Sequence, residues 1–235
     1  IHLKELRPEM GSYDCGSMNW LHTSLFINSP AFLEQLGRNM QEWGVKPEIE
    51  AFDPGMIYNA QYYLKKGVLK GPLHFQFCLG VVGGMDATPY DLQLLINEMH
   101  KLQAEGKLPA ECTWSAFGIG KGHLPVMFAA LANEGHIRVG MEDNVVYGRN
   151  PDGTKIMATN LMLVERAANA VRAYGNEVAT PAEAREMLGL KPLDHEAVCA
   201  ALDAVKVEDL EKAKQGVKDE FGGPYFAAAG MGAKK

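Results

Sequence analysis

Paired cysteines and long apolar runs are both missing from this 235-residue sequence. Its four cysteines lie far apart without a CxxC pair, which argues against a disulfide framework or a zinc knuckle and favours reduced thiols in the cytoplasm. No uninterrupted apolar run reaches the roughly 18 residues of a membrane span. The sequence begins at Ile1 and has no signal peptide, which we interpret as the sign of a missing N-terminal segment.

Basic residues are too few for a protein that binds nucleic acid through its phosphates. The chain has 23 lysines and arginines against 29 aspartates and glutamates, a formal charge of -6. The composition is otherwise that of a globular protein, with 47% hydrophobic and 22% charged residues. We therefore expect a globular protein that binds neither nucleic acid nor a membrane, and a local basic pocket stays open.

Short strand-like runs, loops with Gly or Pro, and amphipathic stretches alternate along the chain, which is typical of βα units. Five strands are predicted, at Met10–Cys15, Glu48–Asp53, Leu73–Leu79, Thr113–Gly118 and His136–Glu142. Five helices are predicted between and after them, at Pro30–Trp43, Met56–Lys66, Pro89–Glu105, Leu124–Asn133 and Asn160–Tyr174. A further helix is predicted to begin after Thr180, an N-cap residue that is followed by proline and an acidic first turn.

The strand faces favour a barrel over a doubly wound sheet. In Leu73–Leu79 one face is apolar, while the other carries His74, Gln76 and Cys78. A doubly wound sheet is covered by helices on both faces and needs strands that are apolar throughout, whereas a barrel can direct polar faces into its lumen. We therefore expect an α/β protein in which this chain carries the last five βα units of a (β/α)8 TIM barrel. The other three units are then absent from this chain or supplied by another.

The expected domain division falls at residue 190. Residues 1–190 are predicted to be the C-terminal part of a TIM barrel. Residues 191–235 are predicted to be a helical C-terminal extension and tail, because Leu193–Lys218 is rich in Ala, Lys and Glu with helical periodicity. Gly222–Lys235 is rich in small residues and is expected to be an arm or a loose tail.

The segment GHIRVGMEDN at 135–144 carries the strongest chemical signal. It predicts a strand that ends in carboxylates at the C-terminal mouth of the barrel, where barrel enzymes keep their active sites. Glu142, in register with Arg138, is expected to point inward as a metal ligand or base. Asp143 is expected to turn back and pair with Arg138. The alternative is an Arg–carboxylate bridge that only closes the barrel.

Four further segments are candidates for ligand contact. PEIEAFDPG contains Glu50, which either faces inward or is solvated at the barrel rim. PEMGSYDCGSMNW contains Ser12, in a stretch that either lets a ligand approach the backbone or simply forms a βα loop. Two glycine clusters follow strands, and their backbone N–H groups are candidates for cofactor phosphate contact, although neither is a Walker loop. The glycines expected to contact the cofactor are Gly83, Gly84, Gly118 and Gly120.

Taken together, these motifs resemble one known family. The runs PEMGSYDCGSMNW, PEIEAFDPG, LHFQFCLGVVGGM, HIRVGMEDN and NEVATPAEAREMLGL are similar to those of the β-keto acid cleavage enzymes, from about Leu6 to Leu190. The resemblance implies a zinc-dependent (β/α)8 barrel, in agreement with the strand faces. It also implies an acyltransferase that condenses a β-keto acid with acetyl-CoA, giving acetoacetate and a new acyl-CoA through Claisen and retro-Claisen steps. We expect a homo-oligomer, with a tetramer as one arrangement.

The resemblance also implies roles for individual residues. By motif position, Glu142 is the carboxylate ligand of zinc, and Arg138 with Asp143 is the catalytic pair. Ser12 contacts the substrate carboxylate or keto group, and Glu50 contacts the variable end of the substrate. The family's other two zinc ligands belong to a His-x-His run that this sequence lacks, so we expect them outside this chain.

Two other functions stay open at this stage. A metal-dependent aldolase or lyase on the same barrel would use related enolate chemistry without acetyl-CoA. A partial barrel without catalytic activity would only bind or scaffold a partner, as the missing histidines allow. Dependence on acetyl-CoA separates the first alternative from the cleavage enzyme, and an upstream His-x-His in the full reading frame argues against the second.

Overall fold

The computed structural model describes residues 2–190 and 195–204, in which helices and short strands alternate. The strands in those ranges are β1 (Met10–Asp14), β2 (Met18–Trp20), β3 (Ser24–Phe26), β4 (Lys46–Ala51), β5 (His74–Leu79), β6 (Thr113–Gly118), β7 (His136–Ile137), β8 (Val146–Arg149) and β9 (Lys155–Met157). The helices are α1 (His2–Leu6), α2 (Pro30–Trp43), α3 (Pro54–Lys65), α4 (Pro89–Ala104), α5 (His123–Ala132), α6 (Asn160–Ala173), α7 (Pro181–Met187) and α8 (His195–Ala204). A 3-10 turn at Gly120–Gly122 directly precedes α5.

Five of the strands form one parallel sheet, and their order in the sheet is their order in the chain: β1, β4, β5, β6, β7. Within this sheet, each strand therefore pairs with the sheet strand that follows it in the sequence, and the connection between the two contains a helix. A doubly wound sheet instead reverses its strand order at a switch point. The sequential order is that of a βα barrel, in agreement with the polar strand faces.

Local sequence signals set where the helices begin. Ser29, Asp53 and Thr88 each accept a hydrogen bond from a first-turn backbone N–H, and each precedes a proline at the start of its helix. Thr180 forms a reciprocal capping box with Glu183 at the start of α7, where a helix was expected to begin. Because Asp53 caps α3, β4 ends before it, and the predicted strand through Asp53 is too long.

The core lies between the sheet and the helices. Phe75, Phe77 and Leu79 of β5 are fully buried on the apolar face that their alternation predicts. Ile49 of β4 and Ala116 of β6 share this face and are also fully buried. Burying a large apolar side chain of this kind contributes roughly 1.5–3 kcal/mol. The opposite face of the sheet carries the polar side chains, and the candidate functional residues lie on it.

The strand predicted at His136–Glu142 is much shorter in the structure. β7 ends at Ile137, residues 138–140 have no regular structure, and residues 141–143 form a turn. Among the described residues β7 pairs on one side alone, with β6, so little holds its backbone extended further. The prediction of a strand that continues through Glu142 is wrong for this reason.

Two antiparallel hairpins go beyond the sequence prediction. β2 pairs with β3 after the first strand of the sheet, and β8 pairs with β9 in the connection that leads to α6. Within Leu193–Lys218, α8 is the part that lies in the described residues; the rest of that range and Gly222–Lys235 lie outside them. The division at residue 190 stays a prediction.

None of the described helices has the length and apolar character needed to cross a bilayer.

Candidate active site

Polar side chains occupy one face of the sheet, and the strand register arranges them in three rows. Residues paired across parallel strands share a face and a level, and successive rows are about 6.6 Å apart along the strands. The lower row comprises Ser12, Glu48, His74 and Thr113. The middle row comprises Asp14, Glu50, Gln76, Ser115 and His136. The upper row, nearest the carboxyl ends of the strands, comprises Cys78, Phe117 and Arg138.

Arg138 and Asp143 form a bidentate ion pair at the upper row. Arg138 Nε donates to Asp143 Oδ2 at 3.1 Å, and Arg138 Nη2 donates to Asp143 Oδ1 at 3.0 Å. The guanidinium carbon lies 4.3 Å from the centroid of the Phe117 ring, which supports the plane of the fork. The predicted contact between Arg138 and Asp143 is therefore present, and two parallel bonds fix its geometry.

Asp143 is buried, and both its side chain and its backbone carbonyl accept hydrogen bonds. Its side chain is 3% exposed, whereas that of Arg138 is 27% exposed. Burial raises the pKa of Asp143, and the hydrogen bonds from Arg138 offset only part of that effect. The main chain is held as well, because Gly120 N donates to Asp143 O at 3.0 Å. The arrangement places a buried carboxylate behind an accessible guanidinium.

Glu142 does not point inward as its predicted strand register implied. It lies in the turn after β7 with a side chain that is 83% exposed, and its Oε2 accepts from Arg138 Nη2 at 2.9 Å. Since the strand ends before Glu142, strand alternation no longer sets its direction. Within residues 2–190 and 195–204, no three His, Cys, Asp or Glu side chains are grouped as a metal site. These residues do not form a zinc site by themselves, and Glu142 fits as one ligand at most.

Asp14, Glu48 and Glu50 form an acidic cluster on the lower and middle rows. Burial and the charge of Glu50 raise the pKa of Asp14 to about 7. Burial and Glu50 also raise the pKa of Glu48, against the opposite effect of Arg138. Glu50 is half-buried on the polar face, and its Oε2 accepts from Cys78 Sγ at 3.6 Å. The cluster suits a ligand that brings positive charge or hydrogen-bond donors.

Ser12 lies apart from the ion pair. It belongs to β1, at one edge of the sheet, and its exposed side chain is in the lower row. Arg138 follows β7, at the other edge, and lies in the upper row. No side-chain hydrogen bond within the described residues joins Ser12 to Arg138 or Asp143, so Ser12 is not part of the ion pair.

The glycines predicted to contact the cofactor have packing reasons to be glycine. Gly83 has a φ of +109°, and a Cβ there would lie 1.7 Å from Asn19 O. A Cβ on Gly118 would lie 2.5 Å from a carbonyl oxygen in the following 3-10 turn. Gly84 and Gly120 already donate their backbone N–H groups to carbonyl oxygens of this chain. Close chain packing therefore favours glycine at Gly83, Gly84 and Gly118, whereas at Gly120 the positive φ of +58° favours it and a Cβ would have space.

A hydrogen-bond relay joins β5 and β6, and the sequence did not predict it. The Thr113 hydroxyl lies 2.8 Å from His74 Nδ1, and His74 Nε2 lies 3.1 Å from Ser115 Oγ. Ser115 Oγ in turn donates to Gln76 Oε1 at 2.8 Å. Burial lowers the pKa of His74 to about 4, so its ring is neutral at ordinary pH. Alternation in β5 identifies His74 and Gln76 as polar-face residues, but their partners on β6 depend on strand register.

Comparison with solved structures shows that the chain has the fold of a TIM-barrel protein. The chain superposes on ObcA in its binary complex with oxaloacetate with a TM-score of 0.64, covering 79% of this chain and 46% of that one at 20% identity. On apo ObcA the TM-score is 0.62, covering 78% and 44%. At this identity the likeness shows the fold alone. It confirms the predicted fold class, with five βα units of the barrel in this chain.

Sequence comparison then defines the family. The model of the beta-keto acid cleavage enzyme family matches residues 1–190. The 3-keto-5-aminohexanoate cleavage enzyme of Acetoanaerobium sticklandii is 38% identical over 185 residues, which cover 79% of this chain and 63% of that protein. The 3-oxoadipate:acetyl-CoA acetyltransferase of Cupriavidus necator is 36% identical over 189 residues, which cover 80% and 63%. The chain belongs to the β-keto acid cleavage enzyme family, and it spans 63% of the length of these two curated relatives.

Proposed function

We propose that the protein containing this chain is an acyltransferase that condenses a β-keto acid with acetyl-CoA, giving acetoacetate and a new acyl-CoA. The observation that carries the proposal is the bidentate Arg138–Asp143 pair at the mouth of a polar barrel face. Family membership supports it, and so does a relative from Cupriavidus necator that is named for acetyl transfer between 3-oxoadipate and acetyl-CoA.

In this proposal the ion pair removes a proton from C2 of the β-keto acid. Because the Asp143 side chain is 3% exposed and both of its oxygens accept from Arg138, the more accessible guanidinium, 27% exposed, is the group that meets the substrate. The proton then passes through the guanidinium to Asp143, whose raised pKa makes it a stronger base than an ordinary carboxylate. Arg138 keeps its positive charge beside the enolate that forms, which stabilises it.

The carbon chemistry follows from that enolate. Its C2 attacks the thioester carbonyl of acetyl-CoA, and the CoA thiolate leaves. The thiolate then attacks the original C3 ketone, and the bond between C2 and C3 breaks. The electron pair of that bond stays on C2, which takes back the proton held by Asp143, and acetoacetate leaves with the C2 carbon while the remaining acyl group stays on CoA. No electrons are gained or lost overall, so the reaction needs no redox cofactor.

A zinc ion is part of the proposal, with Glu142 as its one ligand from this chain. The exposed carboxylate of Glu142 has one oxygen on Arg138, which leaves Oε1 accessible. The described residues contain no group of three His, Cys, Asp or Glu side chains that could hold a metal. In this proposal the other two ligands are the histidines that the family resemblance implies, supplied from outside this chain. When bound, zinc would polarise the oxygens of the β-keto acid as a Lewis acid.

The remaining contacts are assigned by position. Ser12 meets the substrate carboxylate or keto group, and Glu50 meets its variable end. The loops that contain Gly83, Gly84, Gly118 and Gly120 border the mouth and receive acetyl-CoA. We place the protein in the cytoplasm as a homo-oligomer such as a tetramer, and the four free cysteines fit a reducing compartment.

The test is conversion of β-keto acids by the full-length protein with and without acetyl-CoA. Acetoacetate and acyl-CoA formation that requires acetyl-CoA and is lost in Arg138→Ala supports the proposal. Cleavage without acetyl-CoA would instead indicate a metal-dependent aldolase or lyase. Binding of a protein partner without turnover would indicate a scaffold.

A further inference from the structure

The turn that carries Glu142 and Asp143 keeps its shape through its own backbone. Asp143 N donates to Gly140 O at 3.2 Å, and Asn144 N donates to the same oxygen at 3.1 Å. These bonds close the turn on itself, but they do not fix where it lies relative to the barrel. β7 ends at Ile137, so strand pairing does not extend to the turn. The position of the Asp143 carboxylate therefore depends on contacts from other elements.

Within the described residues, two other elements bond to the backbone of this turn. Gly120 N, after β6, donates to Asp143 O at 3.0 Å. On the side of α6, Met141 N donates to Asn160 Oδ1 at 2.8 Å. A Cβ on Gly140 would lie 3.7 Å from the same oxygen, so the Asn160 side chain packs against the start of the turn. Asn160 therefore ties α6 to the turn two residues before Asp143.

The capping of α6 does not account for an asparagine at position 160. Asparagine is a poor helix former, because its side chain competes with the backbone for hydrogen bonds, and it is favoured at the N-cap instead. In α6 the N-cap is Thr159, whose hydroxyl accepts from Met162 N at 3.2 Å, and Asn160 is the residue after it. Buried Leu163 and Ala167 then anchor the helix. The start of α6 is thus capped without Asn160, whose side-chain oxygen is available to the turn.

We propose that Asn160 is a positioning residue for the Arg138–Asp143 pair. By holding Met141 N, it keeps the turn where both Asp143 oxygens meet the guanidinium, at 3.1 and 3.0 Å. A bidentate pair needs both bonds in one plane, so a small displacement of the turn weakens one of them. Asn160 acts through the turn and does not transfer the proton. The inference rests on the proposed function, in which this pair removes the substrate proton.

Steady-state kinetics of the full-length protein tests the proposal, with acetyl-CoA and the β-keto acid that the wild type converts best. Asn160→Leu keeps the approximate size of the side chain and removes the acceptor. We expect about a tenfold loss of kcat with KM for both substrates unchanged, because the lost contact acts on the proton-transfer step. Asn160→Asp keeps the acceptor and should restore kcat to near the wild-type value. The matched control is Asn169→Leu: Asn169 is also exposed on α6 but accepts from Arg172, so kcat should not change.

A double variant separates positioning from a general loss of structure. In the Asp143→Ala background, Asn160→Leu should cost nothing further, because the group that Asn160 positions is already gone. A further tenfold loss in that background overturns the proposal. An unchanged kcat in Asn160→Leu, or no recovery in Asn160→Asp, overturns it as well. Asn160 is exposed, so its replacement opens no cavity, and Asn160→Ala takes the place of Asn160→Leu if the latter does not fold.

Hydrogen exchange of the full-length protein, followed by mass spectrometry, reports on the turn without relying on activity. The backbone amides of Asp143 and Asn144, which donate within the turn, should exchange faster in Asn160→Leu than in the wild type or Asn160→Asp. If the wild type converts no β-keto acid, the proposed function fails, and these exchange rates decide separately whether Asn160 holds the turn. Equal exchange in all three proteins overturns the proposal.

Discussion

The guanidinium of Arg138 lies over the ring of Phe117, and this contact sets the plane in which it meets Asp143. A flat ring beneath a flat fork limits rotation of the side chain, so both parallel hydrogen bonds are formed at once. A lysine at this position would carry the same charge but could form neither the fork nor the stacked contact. The pair therefore acts as one unit.

For this reason we expect non-additive losses when Arg138 and Asp143 are replaced. Arg138→Ala, Asp143→Ala and the double variant should each lose a similar large factor in kcat, because each removes the same step. Steady-state kinetics of the full-length protein measures it. Arg149→Ala is the matched control, since Arg149 bonds a loop carbonyl in the β8–β9 hairpin and should leave kcat unchanged. Losses that multiply in the double variant would contradict a joint role.

His74 should make the protein less stable in acid. Burial lowers its pKa to about 4 in the folded state, against about 6.5 in the unfolded chain. Between these values the unfolded state binds more protons, so a contribution of about 3 kcal/mol is complete above pH 6.5 and is lost as the pH falls toward 4. His74→Gln should remove this part of the pH dependence in chemical denaturation, whereas His100→Gln, at an exposed position of α4, should not. An identical slope in wild type and His74→Gln would contradict the prediction.

Asp14 should have the opposite effect on the pH dependence of stability, over a similar pH range. Burial and Glu50 raise its folded pKa to about 7, so the folded state keeps a proton that the unfolded chain releases near pH 4. The contribution of Asp14 to the free energy of unfolding is therefore complete below about pH 4 and is lost as the pH rises through 7. We expect Asp14→Asn to raise the Tm at pH 8 and to change it little at pH 4. The exposed Asp86→Asn is the control, and an unchanged Tm of Asp14→Asn at pH 8 would argue against burial of the charge.

Zinc binding should depend on Glu142. We expect about one zinc per subunit in the full-length protein and weak binding by the 235-residue chain alone, because one carboxylate cannot hold the ion without the two histidines. Glu142→Gln should lower the zinc content measured by elemental analysis, while Glu165→Gln, an exposed glutamate on α6, should not. Stoichiometric zinc and unchanged acetoacetate formation in Glu142→Gln would remove Glu142 from the site.

Gly83→Ala distinguishes packing from cofactor contact. An added Cβ meets Asn19 O, so we expect a loss of unfolding free energy larger than that of Gly44→Ala, where φ is also positive but no atom lies near. Gly44→Ala should cost roughly 1 kcal/mol. Chemical denaturation measures both variants. A normal unfolding curve together with a raised KM for acetyl-CoA would show that Gly83 serves the ligand instead.

The sequence predicts those features that depend on local spacing. The bounds of α2 follow from the Ser29 cap and the glycine after Trp43, and the Arg138–Asp143 contact follows from a separation that lets the turn fold back. The orientation of Glu142 could not be predicted, because it depends on where β7 loses its pairing. The bond from Ser115 to Gln76 depends on the register of two strands far apart in the chain, which no local pattern specifies.

The backbone of Asp143 is hydrogen-bonded to a residue of a different loop. Its carbonyl accepts from Gly120, in the segment that follows β6, so this hydrogen bond couples the position of Asp143 to that segment. The glycine-rich segment that borders the mouth is thus mechanically linked to the group proposed to remove the proton. A displacement of Gly120 changes where the carboxylate of Asp143 lies, although Gly120 has no side chain to take part in the reaction.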